Sequence, residues 1–221
     1  KNAGKDSQFY LAELARHFSQ AAAKGDIEKA LTYMIKAAER ATTLFGYEEA
    51  GEHYGRALQL LELRPDAQRR CELLLAMGEA QRKAGATEAA RDSFRQASDL
   101  ARGLAAPELL ARAALGFATG FGGVTVSGGM EDPLVVSLLE DALRGLGEHD
   151  SSLRARVLGR LAMELYWSVS QEQRNTLSQQ AVAMARRLGD PATLAYALNA
   201  RQVALWGPDN LEERIAGAKE M

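Results

Sequence analysis

One cysteine, five prolines, three histidines and an aromatic share of 6% are all that these 221 residues contain of the types that usually mark special chemistry. Each scarcity excludes something. A lone cysteine, Cys71, cannot form an internal disulfide, so a reducing, cytoplasmic setting is expected and the thiol is read as structural or idle. His17, His53 and His149 are far apart, with no second histidine or cysteine at ligand spacing, which excludes a zinc site and leaves them as surface or helix-interface residues. No apolar run approaches the ~18 residues of a membrane span, and Lys1 to Tyr10 lacks the apolar stretch of a signal peptide. Excess charge is missing too: 27 basic residues stand against 29 acidic ones, a formal net charge of −2. The chain as a whole therefore offers no attraction to phosphate backbones or anionic lipid, and neither direct nucleic-acid binding nor membrane binding is expected.

The glycine-rich stretch from Gly120 to Gly129 invites comparison with phosphate-cradling loops. It lacks the Gly-Lys-Ser/Thr ending and any basic residue, so ATP binding is not expected and no cofactor is assigned. Residues 119–131 are read as a loop insertion between helices, with a lid formed by Phe121 and Val124 as the alternative. Carboxylates are plentiful but sit as helix partners, for example Glu52 four residues before Arg56, and nothing selects a catalytic pair. No catalytic or metal-binding residue is assigned, and the chain is read as having no enzyme activity.

What the chain does contain is helical periodicity. Apolar residues recur at spacings of three and four, as in Leu73, Leu74, Met77, Ala80 and Ala84, the pattern of an amphipathic helix rather than a strand. The prolines, Pro65, Pro107, Pro133, Pro191 and Pro208, stand where helices begin, because the first turn has no N–H partner to lose. Asp132-Pro133 and Asp190-Pro191 add a capping carboxylate, and Ser170 with Gln173 has capping-box spacing. These marks predict eleven helices, at 7–23, 26–44, 46–62, 66–84, 87–103, 107–118, 132–146, 151–167, 171–188, 191–206 and 208–220, and a helical content above two-thirds.

Short turns join these helices in pairs, and pairs recurring at a fixed period imply a solenoid. Leu74, Met77, Gly78 and Gln81, followed by Ala90, Phe94 and Ala97, have the spacing of a tetratricopeptide repeat. Forty residues earlier the same frame reads Met34, Ala37, Ala38 and Ala41, then Ala50, Tyr54 and Ala57. Gly78 and Ala90 are the small residues that let paired helices approach, and Phe94 fills the gap between neighbouring pairs. A third frame places Gly116 at the Gly78 position. A fourth, around Leu161 to Met184, is looser, with Leu165 and Leu177 at small-residue positions and Glu164 where an apolar residue is expected. The fold class predicted is all-α, a right-handed superhelical solenoid of tetratricopeptide-like antiparallel helix pairs forming one domain over 1–221.

The run AELARHFSQAAAKGDIEKALTYMIKAAERATTLFGYEEAGEHYGRALQLLEL resembles the helical region that follows the ATPase domain in large bacterial signal-transduction ATPases, including LuxR-type activators and multidomain adenylate cyclases. ARRLGDPATLAYALNARQVALWGPDNLEERI resembles a later part of that region. The resemblance implies a sensor or interaction arm, a fragment of a longer multidomain protein, with ATPase and output domains as its neighbours. It carries over no nucleotide-binding residue.

The function expected is a non-catalytic module that takes a peptide, a protein or a small effector on its concave face. The alternative is a structural linker that self-associates or holds a neighbouring domain inactive. In the repeat frame Glu39, Glu79, Arg82, Phe117 and Tyr166 line the binding groove, whereas Tyr54 and Phe94 are buried. The carboxylate clamp of chaperone-tail-binding tetratricopeptide proteins is absent, its positions holding Thr32, Lys36, Glu72 and Ala76. Trp167 and Trp206, each ending a helix, are expected to pack between helix pairs, with ligand contact as the alternative. Self-association is expected through the terminal helices, 7–23 or 208–220.

Overall fold

The computed structural model of the protein describes residues 27–118, 132–167 and 170–221. Ten α-helices and two 3₁₀ turns account for 85% of these residues, and among them there is no strand. The expected helix 7–23 and the loop 119–131 lie outside the described residues.

The chain divides at Leu104 into two compact units. The first holds α1 (Ile27–Thr43), α2 (Tyr47–Glu62), α3 (Ala67–Lys83) and α4 (Thr87–Gly103). Three-residue turns close the antiparallel pairs α1/α2 and α3/α4, and α2 packs on α3. Glu28 and Arg69, 2.8 Å apart, tie the N-terminal turns of α1 and α3, the first helices of the two pairs. The repeat frame explains the packing. Gly78 faces Phe94, and a Cβ there would lie 2.9 Å from the ring's Cζ, so only glycine lets α4 bring its phenyl ring onto α3. Phe94 thus packs within its pair, against the small residue of its own first helix. The equivalent residues of the first pair, Ala38 and Tyr54, are buried in the same way.

The second unit holds α5 (Pro107–Ala118), α6 (Pro133–Leu146), α7 (Ser152–Glu164), α8 (Gln171–Leu188), α9 (Pro191–Ala204) and α10 (Leu211–Glu220). Successive helices pack on one another. Alternate first helices also touch, α5 with α7 and α7 with α9, as in a solenoid of helix pairs. Its core joins Ala155 and Leu158 of α7, Ala181, Val182, Met184 and Ala185 of α8, and Ala197 and Leu198 of α9. The close approach here is at Gly159, where a Cβ would lie 3.0 Å from that of Ala200. The fourth repeat frame therefore needs correction: the small residue is Gly159, while Leu165 begins a 3₁₀ turn after α7.

Capping follows the sequence closely. The carboxylates of Asp132 and Asp190 accept from the first free amides of α6 and α9, and Ser170 with Gln173 forms the capping box of α8. Pro65 is displaced by one position: Asp66 caps α3 through the Arg69 amide at 3.0 Å, so the proline precedes the cap. Two helices stop two or more residues short of their predicted ends, α7 at Glu164 and α9 at Ala204, and 208–220 opens as a 3₁₀ turn before α10.

Candidate interaction surfaces

In the first unit, Glu39 and Glu79 occupy the same position of helices one repeat apart, and both are exposed. Glu39 lies near the Tyr54 hydroxyl, whose ionisation is pushed up first by burial and then by that carboxylate. Glu79 pairs with Arg82 at 2.7 Å, on the partly exposed side of α3. Of the sequence-predicted residues of this unit, Glu79 and Arg82 are thus paired with each other, while Glu39 is exposed near the Tyr54 hydroxyl.

The second unit places the other two predicted residues differently. Phe117, 4% exposed, is a core residue of α5 and not part of a groove, because the apolar face of that short helix turns its only aromatic side chain inward. Tyr166 is half-buried at the end of α7, inside a cluster absent from the predicted groove. Its hydroxyl donates to the Trp206 carbonyl at 3.0 Å, and Trp167 meets its ring edge-on at 4.8 Å. The Arg174 guanidinium stands 4.8 Å from the Tyr166 ring centroid and donates to the carbonyls of Tyr166 (2.8 Å) and Ala204 (3.4 Å). Arg174 thereby joins the ends of α7, α8 and α9. Arg214 of α10 stands 5.6 Å from the Trp206 ring.

Both tryptophans are exposed, Trp167 at 57% and Trp206 at 65%. Packing between helix pairs, the role expected for them, is therefore overturned. Each sits where its helix gives way to irregular backbone, so the ring projects past the end of the packed layer. That position was readable in Trp206-Gly207-Pro208, but its outward direction was not.

A second feature escaped the sequence. Arg160 and Glu164, 2% and 8% exposed at the side chain, form an ion pair one turn apart, with Arg160 Nε donating at 2.7 Å. Arg160 also donates to the Ala118 carbonyl, the last of α5. This explains why a glutamate stands where the repeat frame calls for an apolar residue. The ring of Tyr196 lies against Arg156 at 4.9 Å, and burial raises its hydroxyl pKa.

At the end of the chain α10 lies over α8 and α9 without burying a residue. It is held by a bidentate bridge from Arg186 to Glu220 (2.9 and 2.5 Å), a pair between Arg201 and Glu213, and Gln202 donating to the Arg214 carbonyl at 2.7 Å. A cleft of about 220 Å³ remains beneath it, lined by Val182, Leu198 and Leu205 together with these charges. Leu211 and Ile215 on α10 are exposed.

Among the described residues no cluster of histidine, cysteine, aspartate or glutamate could hold a metal ion. Within the same residues no helix is long and apolar enough to cross a membrane. Cys71 is buried, its thiol 3.3 Å from the Ala97 carbonyl in a hydrogen bond between α3 and α4.

The arrangement defines an all-α protein of antiparallel helix pairs. Its fold is similar to the crystal structure of BtubC (BKLC) from P. vanneervenii, with a TM-score of 0.73 and 13% sequence identity, covering 100% of this chain and 90% of that one. No family model matches the chain, and no curated protein matches it.

Proposed function

We propose that the chain is a non-catalytic interaction module, the peptide- or protein-binding arm of a bacterial cytoplasmic signal-transduction or transcriptional regulator. The observation that carries this reading is the pair of exposed tryptophans, Trp167 and Trp206, clustered with the partly buried Tyr166, Arg174 and Arg214. Tryptophan, tyrosine and arginine dominate binding energy at protein interfaces because they offer large, stiff contact areas with polar edges. Two half-exposed indoles on one surface leave apolar area in water that a partner would remove. The regulatory setting rests on the resemblance of the two quoted segments.

Selection of displayed peptides on the immobilised protein tests the reading. Binders enriched on the wild type should be lost on both Trp167→Ala and Trp206→Ala, while Glu79→Ala reports on the first-unit face. Binders indifferent to both tryptophans would move the site elsewhere. The reading as a self-associating structural linker draws on the exposed Leu211 and Ile215 of α10, and it gains if selection yields no binder at all.

A further inference from the structure

The turn between α1 and α2 carries a residue that the fold does not require. Phe45 sits in the left-handed region at φ 62°, a conformation that crowds the Cβ of any residue but glycine. The turn between α3 and α4 supplies an internal control. There Gly85 holds the equivalent position at φ 82°, and the backbone around it is the same. Gly46 and Ala86, one residue on, have φ −81° with ψ 67° and 66°. Their amides reach back to the carbonyls of Ala41 and Gln81, both at 2.9 Å. Phe45 and Gly85 donate to Thr42 and Arg82 at 3.2 and 3.1 Å. Glycine thus meets every demand of this turn, and phenylalanine adds strain.

Burial does not compensate for it, because Phe45 is 78% exposed and its neighbour Leu44 is 55% exposed. Tyr47 stands edge-on to the Phe45 ring at 6.2 Å, and Lys83 at the end of α3 lies 5.5 Å from the Tyr47 ring centroid. Glu48, exposed on the first turn of α2, adds the opposite charge to the same edge. Among the described residues neither Lys83 nor Glu48 has an ion-pair partner. Strained residues cluster where function selects them, and of the two non-glycine residues in this region, Phe45 and Ala105, only Phe45 displays a large apolar side chain; it stands beside one cation, held over the Tyr47 ring, and one exposed anion.

We propose that this edge is a self-association surface whose occupant is a second copy of the chain. A two-fold axis places one patch against its own copy. Leu44 and Phe45 then pack on their counterparts, and each Lys83 meets the other chain's Glu48. A patch bearing both signs is complementary to itself, whereas a partner of uniform charge would be repelled by one of the two. The residues of this surface are distinct from those of the tryptophan cluster.

Sedimentation velocity of the whole chain over a wide concentration range, with thermal melts of each variant, tests it. The wild type should form a reversible dimer, and Phe45→Gly should be monomeric with a melting temperature equal to or above the wild type. Lys83→Glu should weaken the dimer at least tenfold, and adding Glu48→Lys should restore it, because the swap re-forms both pairs across the axis. A wild type that stays monomeric throughout overturns the proposal, as does a Phe45→Gly dimer of unchanged strength. A lower melting temperature for Phe45→Gly would assign the ring to the fold instead. Dissociation by Trp206→Ala alone would place the contact at the other surface.

Discussion

Phe94 and Trp206 are both large aromatic residues in helical surroundings, and their environments separate what each does. Phe94 is 1% exposed against Gly78, so Phe94→Ala should cost about 3–5 kcal/mol, the usual loss for emptying a buried aromatic site. Trp206→Ala and Glu79→Ala, at exposed positions, should stay within about 0.5 kcal/mol of the wild type. Chemical denaturation of the three variants checks the contrast. The sequence revealed the first case because Gly78 and Phe94 stand in a frame that repeats at Ala38 and Tyr54, and a repeat specifies which face is inside. It misplaced Trp167 and Trp206 because apolar spacing does not say whether a helix continues far enough to bury a residue, and it misplaced Phe117 because the repeat register put on a groove a residue that the apolar face of α5 turns inward.

For the elements, capping residues fixed helix starts closely, since a side chain bonded to a free amide is a local device. Helix ends were less legible: Leu165, Tyr166 and Trp167 extend the apolar pattern of α7, yet the backbone tightens to a 3₁₀ turn there. The buried pair on α7 was invisible because Glu164 reads as an error until Arg160, one turn back, is known to be enclosed. Removing one partner leaves the other charge buried, so Glu164→Leu should destabilise by roughly 3–5 kcal/mol. Arg160→Met with Glu164→Leu should recover much of that loss, and a thermodynamic cycle measures the difference.

The helix α10 is the opposite case, held by surface charge rather than by burial. Glu220 has its pKa lowered by the hydrogen bond from Arg186. A carboxylate with a lowered folded pKa stabilises above its ordinary range and loses that contribution as the pH falls through the folded value. Amide protection of α10 should therefore fall before that of α8 on acidification, and also in high salt at neutral pH, where surface pairs are screened. Hydrogen exchange resolved by helix checks it; equal loss in both helices would show that α10 is anchored by packing.

For the whole molecule, the all-helical architecture was legible because periodicity and capping agree along almost every segment, and such agreement is what lets a sequence specify one fold. The binding surface was less legible because a predicted groove follows from register alone, while the cluster of Tyr166, Trp167, Arg174 and Trp206 arises from three helix ends brought together by folding. That convergence supplies its own probe, since Trp167 and Trp206 are the only two tryptophans in the chain. The most direct test is tryptophan emission during titration with a peptide selected on the wild-type protein. If the cluster is the binding surface, emission shifts to the blue and saturates with the binding isotherm as the indoles leave water. Saturated binding by an independent method, with the emission of both tryptophans unchanged, would contradict it.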